Sequence, residues 1–155
     1  MALRFHPTNI SALLIGRGIL ASGINASSAI TVYSGVQPTA AEIEANWSLY
    51  KSTNSNFLGH FTGAVWSQPS SLIASITTFP GAVQASNSGT AAWCIIWTIN
   101  PALSEMGSSA IPSTSFIVGP VTTLVGTGVV RFNSTTFTAN TSISILDGLI
   151  TTSAL

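Results

Sequence analysis

Ala91–Asn100, AAWCIIWTIN, is the stretch on which the fold turns. Side chains alternate across a strand, so Trp93, Ile95, Trp97 and Ile99 share one face while Cys94, Ile96 and Thr98 share the other. Both faces are apolar. A strand of this kind is covered on both sides by core, or it carries its outer face into a subunit contact.

The flanking sequence has the same character. Beyond Phe57 the chain reads as short strands: His60–Trp66, Leu72–Phe79, Ser115–Val118, Val121–Val125, Gly128–Asn133, Thr136–Ala139, Ser142–Leu146 and Leu149–Ser153. Turn residues separate them, at Gln68-Pro69, Pro80-Gly81, Asn87-Ser88-Gly89, Asn100-Pro101, Ile111-Pro112, Gly119-Pro120 and Gly126-Thr127-Gly128. Asp147-Gly148, between ISIL and LITTS, predicts a two-residue hairpin. Many short strands in close succession predict an all-β fold, a jelly-roll-like antiparallel sandwich, rather than a parallel α/β sheet. No repeat of solenoid length is visible.

The N-terminal part reads differently. Ile10, Leu13, Leu14, Arg17 and Leu20 follow helical spacing, with Thr8 and Asn9 as caps and Gly16 and Gly18 as weak points. AITVYSG, from Ala29 to Gly35, is β-prone. Pro38-Thr39-Ala40-Ala41-Glu42 then has the spacing of a capping box, which predicts a second short helix ending near Trp47 or Tyr50. Lys51–Asn56 is a polar loop. The expected organisation is an N-terminal helix or arm over 1–28 and a sandwich over 29–155, with a short helical insertion near 39–50.

The chain has 155 residues, with four Lys and Arg, four Asp and Glu, and a formal net charge of zero. Charged residues make up 5% of it, where an ordinary domain has about a quarter. A neutral surface rich in Ser and Thr resists association poorly, so much of it is expected to be covered by neighbours. Four scattered basic residues cannot supply the cationic footprint of a nucleic-acid binder. The most apolar stretch, Ile10 to Ile24, is interrupted by Gly16, Arg17 and Gly18, and neither a membrane span nor a secretory signal is expected. Sequons begin at Asn9, Asn25, Asn46, Asn133 and Asn140, as frequent Ser and Thr would produce by chance.

Catalysis requires titratable groups in close company. His6 and His60 have no partner at metal-ligand spacing, and no G-x-S-x-G elbow accompanies His60, Asp147 and the many serines. Glu42 and Glu44, two apart on a short helix, point to different faces and read as capping and solvation. Cys94, set between tryptophans, reads as a small buried hydrophobe. No catalytic residue, metal ligand or cofactor is expected. Trp47 and Trp66 lie in more polar surroundings than Trp93 and Trp97, which makes them the candidates for stacking on a sugar ring.

The helix SALLIGRGIL (Ser11–Leu20), the segment AITVYSGVQP (Ala29–Pro38), the strand SGTAAWCIIWTI (Ser88–Ile99) and the terminal run TSISILDGLITTSAL (Thr141–Leu155) come in an order that resembles a group of tailed-bacteriophage virion proteins. Those proteins open with an LRNALL-like helix, continue through I-x-[IV]-Y-S-G-x-x-P and later carry a G-T-A-x-W strand. Each motif is short and degenerate, and the likeness lies in order and spacing across most of the chain. This chain departs from the group in carrying TAAEIEANWSLYKSTN after Pro38, where a polar run into a G-T-L-L strand is usual.

The resemblance implies a non-enzymatic virion structural protein, foremost a capsid decoration or cement protein. It implies residence in the phage particle after synthesis in the host cytoplasm. The expected partners are the major capsid protein or tail proteins and further copies of the chain, with neither nucleic acid nor membrane. A tail, collar or baseplate component and a carbohydrate-binding adhesin are the alternatives. The expected contact face is Ile10, Leu13, Leu14 and Leu20, on an arm from Ala2 to Gly23.

Overall fold

The computed structural model describes residues 4–5, 28–70, 73–98, 100–113 and 116–151. Among these, eleven strands accompany two short helices: β1 (Arg4–Phe5), β2 (Ser28–Ser34), α1 (Ala40–Ala45), β3 (Phe57–Ser70), β4 (Ile73–Thr78), β5 (Val83–Gln84), β6 (Gly89–Trp97), α2 (Leu103–Met106), β7 (Phe116–Thr123), β8 (Val130–Phe132), β9 (Thr136–Phe137), β10 (Ser142–Ile143) and β11 (Asp147–Thr151). A 3₁₀ turn at Trp47–Leu49 follows α1. The protein is all-β, as its sequence predicts.

Its architecture is a closed barrel where a jelly-roll sandwich was expected. Strands run β7-β8-β11-β4-β3-β2-β6 and return to β7, and every pairing is antiparallel except β7 with β8. Closure leaves no long open edge of the kind that invites strand addition among the described barrel strands. β1 flanks β7 opposite Ile117 and Val118, β9 extends β6, and β5 with β10 forms a separate two-stranded ribbon. The predicted N-terminal helix, with Ile10, Leu13, Leu14 and Leu20, lies outside the described residues. Arg4 and Phe5, within the predicted arm, pair as a strand.

Two apolar clusters hold the fold together. The barrel interior contains Ile30, Val32, Phe61, Trp66, Ile76, Cys94, Ile96, Ile117, Val130, Phe132 and Ile150, among others. The second cluster lies on the outer surface of β2, β6 and β7, where Tyr33, Trp93, Ile95, Trp97, Phe116 and Val118 are covered by Ile43, Trp47 and Met106. The covering side chains come from the β2–β3 and β6–β7 connections. β6 is therefore buried on both faces, the first of the two alternatives its sequence allows.

The predicted capping box is present at α1. The Glu42 N–H donates to Thr39 Oγ1 at 3.1 Å and the Thr39 N–H donates to Glu42 Oε2 at 2.6 Å. This starts the helix just where Ile43 must enter the outer cluster. Thr39→Ala is expected to cost about 1 kcal/mol of stability, measured by urea denaturation; an unchanged midpoint would show that packing alone holds α1.

Long-range pairing corrects the turn readings at two places and adds a strand at a third. Gly119-Pro120 lies inside β7, which runs unbroken from Phe116 to Thr123. The Pro120 carbonyl accepts from the Val129 N–H, so the ring occupies the β8 side and leaves the ladder with β6 intact. Asp147-Gly148 opens β11 and pairs with Arg131 and Val130, while the chain reverses earlier, near Asn140 at φ 62°. Val83–Gln84, to which the sequence reading assigns no element, form β5 and pair with β10. In each case a long-range partner overrides the local signal.

Parallel neighbours are ordinarily joined by a crossover of a dozen or more residues. Here residues 124–129 suffice between β7 and β8. A Cβ on Gly128 would stand 2.8 Å from both the Pro120 oxygen and the Thr122 nitrogen, so the return passes only because that position has no side chain.

Candidate functional site

The Tyr33-Ser34-Gly35-Val36-Gln37-Pro38 segment is the point where the barrel wall hands the chain to its outer cover. Tyr33, next to last in β2, has its ring stacked on Trp93 at a centroid distance of 4.3 Å. Its hydroxyl donates to the Tyr50 carbonyl at 2.9 Å, which ties β2 to the end of the 3₁₀ turn. Burial pushes the Tyr33 hydroxyl well above its ordinary pKa, so it remains a donor. Gly35 at φ 87° then bends the chain, Val36 stands 93% exposed, and Gln37 and Pro38 are buried ahead of the capping box. The motif thus has a structural role in this chain: it aims α1 at the aromatic face.

That face is knit by ring contacts and by hydrogen bonds from each indole. Trp97 lies edge-on to Trp47 at 6.0 Å and against Phe116 at 5.3 Å, and Tyr50 lies edge-on to Trp93 at 5.7 Å. The Trp93 indole donates to the Ser34 carbonyl, and the Trp47 indole donates to the Ser108 carbonyl of the β6–β7 connection. Offset or edge-on aromatic pairs add about 0.5–1.5 kcal/mol each beyond area burial.

The structure separates the residues singled out in the sequence. Trp47 is 4% exposed and sits in the outer cluster; Trp66 is 2% exposed and sits in the barrel, its indole donating to Ser28 Oγ at 2.9 Å. The polar residues flanking each tryptophan do not predict its own exposure, because Trp47 turns inward from the cover and Trp66 occupies an inward strand position. Neither ring offers an open face on which a sugar could stack. Cys94 points into the barrel, where burial pushes its thiol pKa well up and keeps it neutral.

His60 and Asp147 have separate partners. Asp147 meets Arg131 across β8 and β11 at 3.1 Å, and its other oxygen accepts from the Gly148 N–H. Both side chains reach solvent, so this pair contributes little to stability. Glu105 accepts from the Ala102 N–H at the start of α2, as Glu42 does at α1. Three of the four acidic side chains, Glu42, Glu105 and Asp147, thus serve helix starts and a cross-strand pair. Among the described residues, no three His, Cys, Asp or Glu side chains gather as metal ligands.

Sequence reading missed one polar cluster. His60, 8% exposed on the outer side of β3, has Nδ1 2.9 Å from Thr31 Oγ1 and Nε2 2.8 Å from the Pro101 carbonyl. Thr31 Oγ1 also accepts from the Trp97 indole at 2.8 Å. These residues are far apart in the chain. The one local hint is Thr31 itself, a hydroxyl in an otherwise apolar strand run at a position alternating with Ile30 and Val32.

No family model, curated protein or solved structure matches this chain.

Proposed function

We propose that the chain is a non-enzymatic structural subunit of a tailed-bacteriophage particle, bound on the outside of the head as a decoration or cement protein. The observation that carries this reading is the sparsely charged surface, in a chain only 5% charged and with a formal net charge of zero. The side chains of Glu42, Glu105, Arg131 and Asp147 serve helix starts and one cross-strand pair, while Val36 and Val125 stand 93% and 96% exposed at turns. Such a surface suits many weak, repeated contacts, in which copy number multiplies modest affinity. The order of the helix, YSGxxP, GTAxW and terminal-strand motifs supports the same reading. The buried faces of Trp47 and Trp66 weigh against the sugar-binding alternative.

Quantitative mass spectrometry of washed particles, from the culture that produces the chain, tests the reading. Peptides of this chain are expected at copy numbers comparable to the shell protein, and they should remain with tailless heads separated on a density gradient. Their loss on washing would overturn a structural role, and their recovery only with tails would move the subunit to the tail. Light scattering across a concentration series should show a discrete trimer or larger ring for the isolated chain. A monomer at high concentration would remove self-association from the proposal.

A further inference from the structure

We infer that His60 is an acid-sensitive latch that holds the β6–β7 connection down on the outer aromatic face of the barrel. The hydrogen-bond roles follow from which atoms can donate. The Pro101 carbonyl can only accept, so His60 Nε2 carries the ring proton. The Trp97 indole can only donate, so Thr31 Oγ1 accepts its hydrogen and passes its own to the bare Nδ1. The neutral ring completes a relay from Trp97 through Thr31 to Pro101.

Protonation breaks this relay at one atom. An imidazolium donates from both nitrogens, so Nδ1 no longer accepts and the Thr31 hydroxyl hydrogen loses its place. The cation is also buried, and burial lowers the ring's affinity for the proton. Glu105, on α2, is the charged group whose field reaches the ring, and it opposes that lowering, as does the bond to Pro101. The Nε2–H bond to Pro101 is retained by the cation, so the force that opens the connection is the solvation that burial denies the charge and that only displacement of the covering segment restores. A second tie at the same place, from the Gly63 N–H to Asn100 Oδ1, is long at 3.3 Å and exposed. The connection carries Met106 and the Ser108 carbonyl that holds Trp47, and its release uncovers Trp47 and Trp97.

The linkage sign is definite. A His whose folded-state pKa lies below the ordinary 6.5 lets the unfolded or opened state bind the proton first. The closed state is unpenalised above pH 6.5 and loses stability as pH falls from there to the folded-state pKa, where the loss levels off.

The test is a pH titration of the full chain, read by the Trp97 indole NMR signal and by acrylamide quenching of tryptophan emission. Far-UV circular dichroism monitors the barrel. Below pH 6.5 the Trp97 signal should shift, emission should move to the red and quenching should rise, with the far-UV spectrum retained. Glu105→Gln keeps an acceptor for the Ala102 N–H and should move the midpoint to lower pH. His60→Gln can still donate to Pro101 and should abolish the transition. A Trp97 signal that titrates without any rise in quenching would overturn the latch, because the proton would be accommodated with the cover closed. An unshifted midpoint in Glu105→Gln, or a transition that persists in His60→Gln, would overturn it as well. Should the His60 variant not fold, the wild-type and Glu105→Gln titrations decide the matter.

Discussion

Trp97→Ala should destabilise the protein by about 3–5 kcal/mol, the range for deleting a large buried aromatic side chain. The ring is fully buried against Trp47 and Phe116, and its position on β6 lies under the cover formed by two connections. Truncation leaves a cavity between the barrel wall and the cover. It also removes the indole donor to Thr31, so the loss extends to the polar relay at His60. Trp97→Phe should recover most of the packing but not the hydrogen bond, so the difference between the two variants isolates ring packing and the residual cost of Trp97→Phe against the wild type isolates the indole N–H. Urea denaturation monitored by far-UV circular dichroism gives both numbers. A cost below about 1 kcal/mol for the alanine variant would mean that the outer aromatic cluster is not part of the cooperative fold.

Gly148→Ala carries the second large effect, in the opposite sense: the added methyl has nowhere to go. Gly148 pairs with Val130 on β8, and a Cβ there would stand 2.6 Å from Ile76 Cγ1 and 3.2 Å from the Trp66 ring. Overpacking a filled interior costs about 1–3 kcal/mol. Ile76→Ala removes the colliding atoms, so the double variant should be less destabilised than the two single costs added together. A double-mutant cycle measures that coupling. Strict additivity would place the cost of Gly148→Ala in backbone conformation rather than in the collision with Ile76.

These two positions differ in how legible they are from sequence. Trp97 is readable, because strand alternation over AAWCIIWTIN places tryptophans on one face and Cys94 with Ile96 on the other. A strand apolar on both sides needs two layers, and both are found. Gly148 is misread. Asp-Gly is a favoured hairpin pair, yet here the glycine is demanded by Ile76 and the aspartate by Arg131, neither near it in sequence. Pro120 is misread for a related reason, since a proline ends a strand only when its missing donor would face a required partner.

The sequence alone determined the local features of this protein. Its β-rich character, the capping box at Thr39 and Glu42, the two-faced strand around Trp93 and Trp97 and the sparsity of charge all depend on residues a few positions apart. Tertiary structure alone decided that the sheet closes into a barrel, that Trp47 and Trp66 lose their solvent faces, and that Thr31, His60, Trp97 and Pro101 meet in one relay. The physical reason is that strand pairing is non-local. Each strand offers the same backbone donors and acceptors to any partner, and only the volume available inside and outside the barrel selects among them.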